Sequence, residues 1–266
     1  MGNVFCVDIG NTSAHHGLLA KGEVLAGGHV PTARLADPKS GIPEVLRSLR
    51  EDRGFAVDGI SFCSVVPGAT RAFAPLAEST GIPCHHLRHD ACPGLGIHYP
   101  RPEEIGQDRL ANCIGAQEVC GAPAVVLDMG TATTLDILTG KGYEGGIIAP
   151  GLAIMTRYLH EQTALLPALD PADLLVSTGI GKSTLEAMKL GCAVGFSGMI
   201  GALLDTVLTQ LAAWGVAQPS ILATGGTAGA LPKSWASRIR WEPHLTLLGL
   251  EAVFWRAHRA KLPAGK

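Results

Sequence analysis

Two short runs of acidic, glycine and hydroxyl residues begin at positions 8 and 128: Asp8-Ile9-Gly10-Asn11-Thr12 and Asp128-Met129-Gly130-Thr131-Ala132-Thr133-Thr134. Each follows an apolar run, Val4-Phe5-Cys6-Val7 and Ala124-Val125-Val126-Leu127. A carboxylate at the end of a buried strand, followed by a glycine-turned loop of hydroxyls and backbone N–H groups, suits a phosphate and its cation. One copy could be an ordinary hairpin turn, since Asp-x-Gly also marks those. Two copies point to a duplicated domain that grips one nucleotide from both sides.

The chain has 266 residues, a length that fits two domains of about 120 to 150 residues each. A boundary near 120 gives halves 1–120 and 121–266. Each half reads as strand, turn, strand and then helices, so the expected class is α/β with mixed sheets rather than a doubly wound parallel sheet. In the first half, 3–9 and 15–20 read as a hairpin, 41–53 as a helix, 59–66 as a buried strand and 70–80 as a helix. A loop spans 83–102, and 106–120 reads as a helix. In the second half, 124–129, 133–138 and 143–149 read as strands, 151–166 and 182–213 as helices, and 219–224 as a strand.

Apolar residues make up 47% and charged residues 17%, which supports a sizeable core. The net charge of −2 comes without a basic stripe and does not favour a nucleic-acid partner. The seven cysteines form no C-x-x-C pair, as expected of free thiols in a reducing cytoplasm. A strand pattern begins at once, so no signal peptide is expected. The apolar stretch Leu190–Leu204 has 15 uncharged residues against the roughly 20 of a bilayer span, so no membrane segment is expected.

Five segments could carry chemistry. In Asp8–His15, Gly10 permits a tight turn, Asn11 and Thr12 offer donors to a phosphate, and Asp8 could hold Mg²⁺ directly or through water; a plain Asx-type hairpin is the alternative. In Gly106-Gln107-Asp108-Arg109, a helix start would keep Asp108 ionised, and the fork of Arg109 could bind a phosphate or carboxylate. Equally, Asp108 could cap its own helix and Arg109 be a surface cation. Asp128–Thr134 with Gly145–Gly151 places hydroxyls around a turn, although Thr is also common in strands. Thr178–Thr184 ends like a Walker A loop, but Val176 stands where that pattern needs Gly, so a P-loop is rejected; Thr184 remains a possible substrate contact. Gly225-Gly226, within Ala223–Gly229, could seat an adenosine at a helix start. The Cys84–Cys92 loop matches no zinc spacing. Gly191, Gly195, Gly198 and Gly201 form a small-residue helix face suited to close packing, as across a dimer interface.

Taken in order, these segments resemble the type III pantothenate kinases, of the actin, hexokinase and heat-shock-chaperone ATPase superfamily. The matching pieces are Asp8–Thr12, Ser64-Val65-Val66-Pro67, Tyr99 with Gly106–Arg109, Asp128–Thr134, Gly145–Gly151, Thr163–Pro167, Gly181–Met188 and Thr224–Ala228. The resemblance implies duplicated ribonuclease H-like halves with a cleft between them, and transfer of phosphate from ATP to pantothenate, the first step toward coenzyme A. It implies Asp108 as catalytic base. Tyr99, Gly106, Gln107, Asp108, Arg109 and Thr184 become pantothenate contacts. Asp8, Ile9, Gly10, Asn11, Thr12, Ser13, Ala14 and His15 become the first phosphate loop, with Thr131 a further ATP contact. Asp128 becomes the ligand of a potassium or ammonium ion. A homodimer with sites near the subunit interface is implied too. Some members of the family carry Lys where His15 stands. The alternatives are a kinase for another small alcohol, or a non-catalytic relative similar to the Bvg accessory factor.

Overall fold

The computed structural model describes residues 2–174, 179–227, 231, 235 and 237–258. Val176, Thr178, Ala228, Gly229 and the Lys261–Lys266 tail lie outside them.

The strands form two five-stranded sheets. β1 (Val4–Ile9), β2 (Ser13–Ala20), β3 (Glu23–Pro31), β4 (Gly59–Ser64) and β5 (Cys84–His86) lie in the order β3-β2-β1-β4-β5. β6 (Ala124–Met129), β7 (Ala132–Thr139), β8 (Gly142–Pro150), β9 (Ser220–Thr224) and β10 (Arg240–Trp241) lie in the order β10-β9-β6-β7-β8. Strand for strand, the second order repeats the first. In each sheet the leading strand pairs antiparallel with the next strand in sequence and parallel with a later one: β1 with β2 and β4, β6 with β7 and β9. The sheets are mixed, as expected.

The helices are α1 (Ile42–Arg47, continued by a π-helical turn at Ser48–Asp52), α2 (Pro67–Ser79), α3 (Gln107–Val119), α4 (Leu152–Glu161), α5 (Thr184–Ala213) and α6 (Leu245–His258). Contacts divide the chain into two compact units. Unit 1 holds Met1–Gly121, Lys141–Glu144 and His244–Lys266; unit 2 holds Ala122–Gly140 and Gly145–Pro243. Relative to a simple cut at 120, unit 1 thus also takes the β7–β8 turn and α6.

In unit 1, alternation sends Phe5, Val7 and Ile9 of β1 into a core with Ile42, Leu46 and Leu49 beneath α1 and its extension, and with Phe73 and Ala77 of α2. The opposite face carries α6, which lies against β1, β2 and β4 and along α3. Beyond the helix start read at Gly225-Gly226, no later element was expected. α6 is buried on nearly all sides, from Leu245 through Trp255, so it has no amphipathic stripe to betray it. β3 was missed as well, because Gly27-Gly28 interrupts its strand pattern. α2 starts three residues early, with Pro67 in its first turn.

In unit 2, α5 runs for 30 residues. Met188, Cys192, Phe196, Ile200, Leu204, Val207 and Leu211 recur every three or four residues and pack on Val125, Leu127 and Met129 of β6, Leu135 and Ile137 of β7 and Ile221 of β9. The length argument against a membrane span needs correction. The helix extends past Lys189 and Asp205 and, by length and composition alone, is long and apolar enough to cross a bilayer, with a window of mean hydropathy 1.6. What distinguishes it is the stripe packed into this core.

Helices α3 and α6 touch backbone to backbone. A Cβ at Gly249 would overlap the carbonyl oxygen of Ala111 and lie 2.9 Å from the Gly115 nitrogen, and one at Gly115 would meet the Leu245 carbonyl. Gly249→Ala should therefore cost about 1–3 kcal/mol through overpacking, against a helix-propensity gain of up to about 1 kcal/mol. Urea unfolding measures it, and a variant as stable as the parent would mean the two helices can part freely.

Candidate active site

Asp8 is the penultimate residue of β1. It stands opposite Cys63 on β4 and His15 on β2. The next residues turn tightly: Gly10 N–H donates to the Ser13 carbonyl at 3.1 Å. The loop is pinned from just past β3, where Thr32 donates its hydroxyl to the Gly10 carbonyl at 2.7 Å and its N–H to the Thr12 carbonyl at 3.1 Å. Asn11 and Thr12 are exposed at its tip. Their side chains make no hydrogen bond among the described residues, which leaves them available as donors. Ile9 and Ala14 are core residues, and Ser13 is half-buried.

Cys63 is wholly buried and its thiol donates to Asp8 Oδ1 at 3.3 Å. Burial pushes that thiol well up, and the carboxylates of Asp8 and Asp108 push it further. It stays a protonated donor. Both acids therefore act on one buried sulfur, and unit 1 brings together two carboxylates that lie 100 positions apart in sequence.

Asp108 sits in the first turn of α3, after the N-cap Gly106. Its Oδ1 accepts the Arg109 N–H at 2.8 Å. A Cβ at Gly106 would lie 2.5 Å from that same oxygen, so glycine is needed there to give the carboxylate its place. The expectation that the helix start keeps Asp108 readily ionised is overturned. Burial raises its pKa above the ordinary aspartate value, outweighing the Arg109 N–H and the Arg109 charge.

Arg109 is no surface cation. It is 9% exposed and its guanidinium lies 5.7 Å from the centre of the Tyr143 ring. Tyr143 is wholly buried, and its N–H and carbonyl bond to Gly96 and His98 at 2.8 Å each. Tyr99 packs beside it at 6.1 Å. Gln107 turns its amide oxygen toward the Ser64 N–H at 2.8 Å and His86 Nε2 at 2.9 Å. Cys63, His86 and Tyr143 were not singled out as site residues. Their roles depend on contacts across 21 to 55 sequence positions, and no local spacing announces them.

His15 stacks on His29, ring centres 4.5 Å apart, with Nε2 3.3 Å from His244 Nδ1. Burial and then the neighbouring His29, His244 and His16 lower its pKa to about 3. It is a neutral imidazole near pH 7 and does not replace a lysine's charge.

In unit 2, Asp128 holds the position on β6 that Asp8 holds on β1, paired with Thr134 and Thr224. Thr131 is exposed at the turn. The other two hydroxyls point elsewhere: Thr133 is wholly buried, and Thr134 donates to Asp136 at 3.1 Å. Gly151 has no room for a Cβ against the Thr131 carbonyl. Gly225 has φ +93° and lies against the Met129 backbone, where a Cβ would be 2.5 Å away; only glycine suits both demands. Gly226 is open to solvent. Thr227 closes the loop, its hydroxyl donating to the Met129 carbonyl at 2.9 Å. Thr184, at the start of α5, lines an apolar groove of about 510 Å³ with Tyr158 and Leu159 of α4 and with Ala187, Met188 and Gly191 of α5.

Solved structures similar to this chain show its fold. A protein of Campylobacter jejuni described as a Baf family transcriptional activator matches with a TM-score of 0.60 at 18% identity, over 97% of this chain and 100% of that one. A ROK family glucokinase from Streptomyces griseus, solved with glucose and AMPPNP, matches with a TM-score of 0.55 at 14% identity, over 94% of this chain and 98% of that one. The fold is that of the actin- and hexokinase-type ATPases. The family model for type III pantothenate kinase matches residues 4–206. The type III pantothenate kinase of Akkermansia muciniphila is 41% identical over 83% of this chain and 85% of its own length. That of Methylacidiphilum infernorum is 36% identical over 93% of this chain and 86% of its own. The chain belongs to the type III pantothenate kinase family.

The raised pKa of Asp108 has a sign that can be measured. The folded state holds its proton more tightly than the unfolded chain. Its favourable contribution is therefore complete below the unfolded value of about 3.9 and is lost as pH rises through the folded value. Asp108→Asn removes that loss. Denaturant unfolding should find the variant more stable than the parent near neutral pH, the gap closing toward about pH 4. A gap that stays constant with pH would show that Arg109 cancels the burial.

Proposed function

We propose that this chain transfers the γ-phosphoryl group of ATP to the primary hydroxyl of pantothenate, giving 4'-phosphopantothenate and ADP. One observation carries the assignment: a buried carboxylate with a raised pKa, Asp108, is fixed by the backbone N–H of a buried arginine, and its charge acts on the Cys63 thiol that donates to Asp8.

Asp108 accepts the hydroxyl proton as the substrate oxygen bonds to the γ-phosphorus, and the bond from that phosphorus to the β–γ bridging oxygen breaks. A pKa lifted toward the working pH suits a general base. Phosphoryl transfer has a loose transition state, so orienting the oxygen outweighs base strength. Arg109 offers its planar fork to a carboxylate, while Tyr99, Gly106, Gln107 and Thr184 complete the pantothenate contacts. Asp8 through His15 are assigned to the phosphates of the nucleotide, and Thr131, Gly225 and Gly226 are assigned as further ATP contacts.

The donor set at Asp8 fits Mg²⁺. Among the described residues no three His, Cys, Asp or Glu side chains form a closed cage. A single carboxylate beside the exposed Asn11 and Thr12 leaves room for the waters and phosphate oxygens that Mg²⁺ keeps. Bound there it would neutralise charge on the transferring group. Asp128 is the residue that would hold potassium or ammonium.

A homodimer is supported by the surface of unit 2. Tyr158, Leu165 and Ile180 are 61%, 91% and 84% exposed, and Gly191, Gly195, Gly198 and Ala202 line one exposed face of α5 next to the apolar groove.

A coupled nucleotide-release assay tests the reaction. ADP release should require pantothenate, proceed in potassium or ammonium and fall in sodium alone. Asp108→Asn should lose about 10²–10⁴ in turnover at saturating substrates. Release indifferent to pantothenate would sink the substrate, equal rates in all three salts would remove the cation from Asp128, and full turnover of the variant would remove the base. Sedimentation should give the mass of two chains. Gly198→Arg, at a position with open space around it, should shift it to one; a variant that stays paired places the interface elsewhere.

A further inference from the structure

Gln107 opens α3 immediately before Asp108, and its amide is held from two sides. Its oxygen lies 2.8 Å from the Ser64 backbone nitrogen and 2.9 Å from His86 Nε2. A backbone N–H can only donate, so the atom facing Ser64 is the amide oxygen and not the nitrogen. That oxygen can only accept, so His86 Nε2 carries a hydrogen. Burial, the largest influence on His86, lowers its pKa despite the bond to Gln107, and the neutral ring is the Nε2–H tautomer.

The ring plane is fixed too. His86 pairs with Phe62 across β4 and β5 and stacks on it, centres 4.3 Å apart and planes within 12°. Phe62 is held edge-on by Phe73 of α2 at 5.0 Å. Orientation passes from the core through Phe62 and His86 to the amide. Both lone-pair directions of the Gln107 oxygen are taken, and its –NH₂ group, with two donors, has no partner among the described residues. It lies in the same turn as Asp108, while Ser64 and Cys63, adjacent on β4, meet Gln107 and the Asp8 carboxylate respectively.

We infer that His86 is a positioning residue: through Gln107 it aims the amide N–H pair at an acceptor oxygen, carbonyl or carboxylate, of the alcohol substrate. The inference rests on the pantothenate reaction proposed above. His86 touches no reacting atom. It fixes which end of the Gln107 amide faces the substrate, since a flipped amide would present an oxygen to an oxygen. A site whose donors are set in advance discriminates against analogues lacking the acceptor.

Two variants separate this role from simple support of the α3 start. His86→Phe keeps the stack on Phe62 and deletes the Nε2–H. Gln107→Glu keeps an acceptor for both Ser64 and His86 and deletes the amide donors. Each should raise the KM for pantothenate roughly five- to twenty-fold while kcat and the KM for ATP stay within about two-fold. The double variant should be no worse than Gln107→Glu alone, because the residues act in series. A nitrogen-15 imidazole spectrum of the full chain should show His86 protonated on Nε2. Additive losses, a pantothenate KM unmoved by Gln107→Glu, equal damage to both substrates' KM, or a ring protonated on Nδ1 would each overturn the inference while the kinase stands. A parent chain whose ADP release ignores pantothenate overturns both.

Discussion

The parallel pairing of β1 with β4 is the constraint on which the site depends. Its register sets Asp8 opposite Cys63 and Ile9 opposite Ser64, so both strands end at one level and their loops leave side by side. Parallel sheets place ligand chemistry beyond the carboxyl ends of their strands for this reason. Here the last two residues of β4 serve different acids. The Cys63 thiol steadies Asp8, and the Ser64 N–H holds Gln107, which leads directly into Asp108. A slip of one residue would turn Asp8 into the α1–α2 core and Ile9 out of it. The same pairing recurs between β6 and β9, where Asp128 stands opposite Thr224.

What the sequence disclosed follows from how far each feature reaches along the chain. The two strand-end carboxylates were legible because an apolar run, an acid and a glycine are contiguous. Gly106 stood out within its motif, but the reason it must be glycine did not; that reason is the folded-back oxygen of Asp108. Local rules also misled. A helix start should stabilise an anion, yet burial by residues distant in sequence dominates at Asp108. Arg109 read more readily as a surface cation until Tyr143, near the start of β8 in the other half of the chain, proved to cover it. α6 was invisible because a helix covered on all sides has no periodicity, and β3 because two glycines dilute its β-propensity.

Glycine has two distinct duties here. At Gly225 it accommodates a left-handed backbone pressed against Met129. At Gly115 and Gly249 the backbone is ordinary helix, and what matters is the missing side chain, which lets α3 and α6 approach until carbonyl meets Cα. α3 begins with Gln107, Asp108 and Arg109, so its seating on α6 sets where those groups lie. The buried hydroxyl of Thr246, donated to Asn112 at 2.7 Å, fixes the register between the two helices as apolar contact alone would not.

The electrostatics of unit 1 bear on what the proposed reaction needs. Asp8 and Asp108 both act on Cys63, and the thiol, raised by burial and by both of them, cannot ionise to relieve or worsen the charge. His15, beside Asp8 in the ladder, is kept neutral by burial and by three other histidines. A polyphosphate brought to the Gly10 loop thus meets the Asp8 carboxylate and finds dipoles rather than a cation in Asn11, Thr12 and His15. In the proposed reaction, charge neutralisation would fall to a cation arriving with the nucleotide, and Asp8 would serve as its anchor instead of an obstacle. Burial raises the pKa of Asp108 above the ordinary aspartate value, which strengthens its affinity for the substrate's proton. In this arrangement burial does electrostatic work that a lysine at position 15 would otherwise share.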